Sequence, residues 1–118
     1  MGIEEQSAAL TGMGVMENAK VVEVTATDTL EVYEQTVFGD SSGAAVVLTL
    51  PPVSVAKGKF YSIKVITAGN NFTIQDQDDS YDFNESGTHT IVLTTATDFS
   101  LLFSDGHKWY EIDGQIGG

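Results

Sequence analysis

The chain has 118 residues, no cysteine and a formal net charge of −12, with 17 acidic residues against 5 lysines. Without clustered Lys and Arg it lacks the footprint for nucleic-acid phosphates, and its charge repels an anionic membrane surface, so neither is an expected partner. The absence of cysteine excludes disulfides and thiolate chemistry, and the length suits one domain with a real core.

Residues 1–19 hold three methionines and three glycines and show no strand alternation. They read as an N-terminal arm. Gly2 to Leu10 is short for a helix, which is marginal at such a length. The arm is either a mobile terminus or a segment that orders on a partner. In the second case Leu10, Met13, Val15 and Met16 are adaptable apolar contacts. A basic leader and a long apolar run are both missing, so neither a signal peptide nor a membrane span is expected.

From Lys20 onward the pattern is β. Lys20 to Thr25 carries Val21, Val22 and Val24. Thr29 to Tyr33 places Leu30 and Val32 in step, and Gln35 to Phe38 extends that run. Gly39 to Gly43 is a loop by composition. Ala44 to Leu50 puts Val46, Leu48 and Leu50 on one face, and Pro51-Pro52 ends it because proline cannot donate to a ladder. Lys57 to Thr67 carries Tyr61, Ile63 and Val65 on one face. After the turn at 68–71, Phe72 and Ile74 alternate, and Asp76 takes the next position on their face. His89, Ile91 and Leu93 then oppose Thr90, Val92 and Thr94.

The last strands form a hairpin. Asp105-Gly106 between alternating runs signals a two-residue type I′ turn. That turn pairs Ser104 with His107, Leu102 with Trp109 and Phe99 with Ile112. It makes Phe99, Leu101, Phe103, Tyr110 and Ile112 a core face and leaves Ser100, Ser104, His107 and Glu111 wet. About eight short strands at roughly ten-residue intervals predict an all-β fold, a compact antiparallel β-sandwich or barrel. The expected organisation is an arm over 1–19, the domain over 20–113 and a flexible tail over 114–118.

Candidate chemistry is sparse. Asp76, Asp78, Ser80, Asp82 and Asn84 fall at alternate positions, and hard cations want several oxygens close together, so Asp76, Asp78 and Asp82 are a candidate cation site. The EF-hand pattern fails, since Tyr81 and Gly87 occupy its required glycine and glutamate positions. The plainer reading is a solvated hairpin end or a charge-protected edge. His89 and His107 lie on separate predicted strands and form no metal site or triad with the acids. Neither Gly12-Met13-Gly14 nor Gly39 to Gly43 has phosphate-loop spacing. No catalytic residue, cofactor or metal is therefore predicted, and the chain reads as a non-enzyme. Leu102 and Trp109 are the apolar pair on the wet hairpin face. They bury against a second sheet, meet a neighbouring subunit or partner, or stack on a sugar.

Thr49-Leu50-Pro51-Pro52, Phe60-Tyr61-Ser62-Ile63-Lys64, Asn71-Phe72-Thr73-Ile74 and Ser104-Asp105-Gly106-His107-Lys108-Trp109-Tyr110 follow one another in that order. This succession, spanning about 45–113, resembles a β-rich module of tailed-bacteriophage structural proteins, both tail-fibre-type proteins and small head proteins. The sequence departs from that pattern at 76–85, which is more acidic, and a turn glycine is displaced to Gly87. Its small size and acidity are most similar to capsid decoration, or cement, proteins. The resemblance implies a homotrimer at a symmetry axis of the virion exterior, made in the host cytoplasm, that binds the major capsid protein and stabilises the head, with Ile3, Leu10, Met13, Val15 and Met16 of the N-terminal arm as the capsid-binding contacts. The alternative it implies is a tail-fibre or tail-tip module that binds a host glycan through Trp109 and Tyr110.

Overall fold

A computed structural model describes residues 20–77 and 90–117. Among the described residues nine strands run in chain order: β1 (Lys20–Val24), β2 (Asp28–Thr29), β3 (Glu34–Asp40), β4 (Val46–Thr49), β5 (Phe60–Thr67), β6 (Phe72–Gln75), β7 (Thr90–Leu93), β8 (Phe99–Ser104) and β9 (Trp109–Gln115). They form a five-stranded sheet, β1-β3-β5-β8-β9, and a four-stranded sheet, β2-β4-β6-β7, packed as a sandwich. The all-β sandwich is as the sequence predicts.

Strand direction is not. β1, β3 and β5 are mutually parallel, as are β2, β4 and β6, and only β7, β8 and β9 add antiparallel pairings. Parallel neighbours need a long crossover. Here the crossover is a strand of the opposite sheet, so the chain coils between the sheets from β1 to β6. Short turns between consecutive runs look like hairpins in sequence but carry the chain across the sandwich.

The core lies between the sheets. Tyr61, Ile63 and Val65 face inward from β5, while Phe60, Ser62, Lys64 and Ile66 face outward, as period-2 alternation requires. Val46, Leu48, Leu50, Phe72, Ile74, Ile91 and Leu93 face them from the other sheet, all buried. Gly39 marks the closest approach: a methyl group there would sit 2.5 Å from the Phe72 ring. Burial of these side chains is the main favourable term of the fold, at about 1.5–3 kcal/mol for each large apolar group.

The final hairpin corrects the sequence reading twice. Its loop is four residues, 105–108, so Ser104 pairs with Trp109 and Phe103 with Tyr110. A type I′ turn needs positive φ at both central residues. Gly106 has φ 95, but Asp105 does not lie in that region. Instead the Asp105 carboxylate accepts the N–H of His107 at 2.7 Å and of Lys108 at 2.8 Å, which fixes a wider loop. The faces are also exchanged. Ser100, Leu102, Ser104 and Trp109 are buried, and Phe99, Leu101, Phe103 and Tyr110 lie on the outside of the sheet. A bulge between Leu101 and Leu102 shifts the register, and β9 continues through Gln115 rather than ending at residue 113.

Candidate functional site

Leu102 and Trp109 are both fully buried in the sandwich and are not available to a subunit or a ligand. The Trp109 indole packs against Tyr61, and its Nε1 has no acceptor among the described residues. The mostly polar hairpin face is the core face because its serines are satisfied there. Ser104 Oγ donates to the Val53 carbonyl at 2.7 Å, and Ser100 Oγ donates to Glu111 Oε2 at 2.8 Å.

The predicted core face instead lies half-buried on the outer face of the larger sheet. The strand registers place side chains of all five strands in rows across the outer face of the larger sheet. One row runs Val21, Thr36, Ser62, Leu101, Asp113, and the next runs Glu23, Phe38, Lys64, Phe99, Gln115. A third joins Phe60, Phe103 and Tyr110. Phe60 is 50% exposed, although its ring lies 4.8 Å from that of Phe103. Val21 is 62% exposed, Ile66 48%, and Ile112 at the β9 bulge 54%.

The opposite outer face contrasts with this one. There the rows are Val47, Thr73, Val92 and Thr29, Thr49, Gln75, Thr90, with neither aromatic nor charged side chains. Threonine and glutamine hydrogen-bond water while keeping strand geometry, so that face is stable in solvent. The outer face of the larger sheet instead sets aromatic and aliphatic side chains among polar ones, with Phe60 and Phe103 adjacent, and clustered apolar side chains on a folded domain mark interaction surfaces.

The other predicted sites are scattered or lie outside the described residues. Ile3, Leu10, Met13, Val15, Met16, Asp78, Asp82 and His89 are outside them. Asp76 is 2% exposed, so it does not belong to a solvated hairpin end. His107 is at the exposed hairpin tip. Among the described residues, no group of three or more His, Asp or Glu side chains comes together to hold a metal ion. The carboxyl of Asp105 is held below its usual range, first by the Lys108 backbone N–H and then by that of His107. This is turn chemistry rather than preparation for proton transfer.

Val21, Phe38, Phe60, Lys64 and Ile66 carry no functional assignment from the sequence. The available signal is that Phe60 and Ile66 stand at the two ends of the outward parity of β5, flanking the polar Ser62 and Lys64. Comparison with protein-family models, curated proteins and solved structures gives no match.

Proposed function

We infer that this chain is a non-enzymatic structural protein of a tailed-bacteriophage virion. It decorates the outside of the head as a homotrimer bound to the major capsid protein and stabilises the shell. The observation that carries the reading is the set of exposed large apolar side chains, Val21, Phe38, Phe60, Ile66 and Ile112, on the five-stranded sheet. A sandwich that keeps aromatic side chains in water on one face and hydroxyl-rich side chains on the other is built to be covered on one side. The motif succession across 45–113 supports phage origin, and the acidic surface suits docking on basic shell patches.

The second reading is a tail module that binds a host glycan. Burial of Trp109 removes its central contact. The exposed Phe60 ring beside Phe103, in one row with Tyr110, is the observation that favours it. Gold-labelled antibody imaging of intact particles from the source phage separates the two. Label over the whole head is expected for decoration, and label confined to the tail end would transfer the assignment to host binding. Unlabelled particles would overturn both.

A further inference from the structure

We propose that Asp113 is a site of spontaneous backbone modification, isomerisation to isoaspartate through the Gly114 amide, and that the fold protects the other Asp-Gly pair of the chain from the same reaction. This chemistry is independent of what the protein binds.

The reaction is attack by a backbone nitrogen on the side-chain carboxyl of the residue before it. The Gly114 nitrogen bonds to Asp113 Cγ, and one carboxyl oxygen leaves as water with the amide proton and the carboxyl proton. The product is a cyclic succinimide. Water then adds at the main-chain carbonyl carbon of Asp113 and breaks its bond to the Gly114 nitrogen. The chain now runs through the former side chain, one carbon longer, and the α-carboxylate hangs free. Water is released and then consumed, and no other reactant is needed.

Two conditions favour it. The next residue must leave its nitrogen open, which glycine does best because it has no side chain and the freest backbone. The carboxyl must also rest against that nitrogen, since a contact already made is not paid for again in the transition state. Asp-Gly occurs twice, at 105–106 and at 113–114. At the second, Asp113 Oδ1 accepts the Gly114 N–H at 2.9 Å, and both residues are exposed on the edge strand β9. Rotation about the Asp113 Cβ–Cγ bond, a broad torsion, turns the carboxyl carbon onto the nitrogen.

Two other aspartates each meet one condition and fail the other. Asp28 Oδ1 accepts the Thr29 N–H at 2.8 Å, but the stiff, β-branched Thr29 crowds that nitrogen. Asp105 precedes a glycine, but the Gly106 N–H donates to Ser104 Oγ at 3.1 Å. Asp105 Oδ1 reaches past Gly106 to the N–H groups of His107 and Lys108. The Lys108 N–H, and then that of His107, also hold the Asp105 carboxyl below its usual range. That favours the ionised form, which has no proton to leave with the oxygen.

The position gives the modification a structural effect. Asp113 pairs with Leu101 and Gly114 with Ser100. An extra main-chain carbon between them moves the following residues out of register, including Gly117, whose N–H donates to Asp98 Oδ2 at 2.8 Å.

The test is incubation of the full chain in mildly acidic buffer at physiological temperature, folded and in urea. Peptide mass spectrometry with electron-transfer fragmentation then separates isoaspartate from aspartate at each position. In the folded chain Asp113 is expected to convert about tenfold faster than Asp105 or more, because freeing Asp105 costs at least one net hydrogen bond. Asp28 should stay unconverted. In urea the two Asp-Gly pairs should convert at similar rates. Asp113→Glu, whose longer side chain does not close the same ring, should leave its peptide unmodified. Folded-state conversion of Asp105 as fast as that of Asp113 would overturn the proposal. So would a folded chain that keeps Asp113 intact over a time in which the chain in urea has converted.

Discussion

The ring of Tyr61 meets the Trp109 indole edge-on, with centroids 5.4 Å apart and planes 76° apart. This contact joins β5 to the terminal hairpin inside the core, where both residues are fully buried. The Tyr61 hydroxyl continues past the indole and donates to the Val32 carbonyl at 2.6 Å. One side chain therefore ties three parts of the coil together. Tyr61→Phe keeps the ring contact and orphans the carbonyl, and should cost about 1–2 kcal/mol in urea unfolding. Trp109 fluorescence reports it directly, since this is the single tryptophan of the chain.

The same hydroxyl sets an alkaline limit. Burial raises the Tyr61 pKa from 10.0 to about 12. The folded state therefore prefers the neutral phenol. Its contribution to stability is complete below pH 10 and is lost as pH rises toward 12. Ultraviolet titration should show one tyrosine ionising last and together with loss of the native fold, and Tyr61→Phe should abolish that step.

Asp105 sets the complementary acid effect. Its carboxyl lies below the ordinary 3.8 because the Lys108 and His107 backbone N–H groups hold the charged form. A depressed folded pKa gives stability that is present above the unfolded value and is lost as pH falls through the folded one. Asp105→Ala should loosen the tip at neutral pH and remove the acid-dependent change in the His107 and Lys108 amide resonances.

Gly39 faces the Phe72 ring across the sandwich. A Cβ there would approach three ring carbons at 2.5–2.9 Å, so Gly39→Ala should destabilise by about 1–3 kcal/mol. Combining it with Phe72→Leu should cost less than the sum of the two single changes, because the smaller side chain vacates the contested space.

Asp98 closes the turn between β7 and β8. Its buried Oδ2 accepts the N–H groups of Thr94 at 2.9 Å, Thr95 at 3.0 Å and Gly117 at 2.8 Å. Asp98→Ala should cost about 3 kcal/mol or more by orphaning them, and should speed hydrogen exchange at Gly117. In the same turn Thr97 holds φ 78, a left-handed conformation that glycine adopts freely. Thr97→Gly should yield a net gain of up to about 1 kcal/mol in the same unfolding assay.

The strands over 61–65 and 72–74 were legible because their two parities differ sharply in polarity, whereas over 46–50 and 90–93 only the outward Thr49 and Thr90 mark the solvent side. Each of these windows alternates core and solvent side chains, and each buries the face that alternation predicts. Strand β8 defeats the rule because its outward set, Phe99, Leu101 and Phe103, is more apolar than its inward set, Ser100, Leu102 and Ser104. Hydropathy ranks faces by transfer free energy and is blind to a serine whose partner is a distant carbonyl. Parallel pairing was illegible for a different reason. A three-residue link from Val24 to Asp28 looks the same whether it returns along one sheet or crosses to another. Phe99, Leu101, Phe103 and Tyr110 were visible as an apolar set, but not as the outer face of the sheet.

The coil also fixes an order of assembly. Each sheet lists its strands as the ribosome makes them, β1, β3, β5, β8, β9 in one and β2, β4, β6, β7 in the other. No strand has to be threaded between two already placed, and every new one is laid against the free edge its predecessor leaves. The parallel turns can thus accumulate as the chain emerges, with the terminal hairpin then covering the β5 edge. A nascent chain stalled before residue 99 would present β5 as an open edge, with Tyr61 still lacking the Trp109 contact. Such an edge invites pairing with other chains. Addition of β8 and β9 is then what removes β5 from the rim and brings Trp109 to Tyr61.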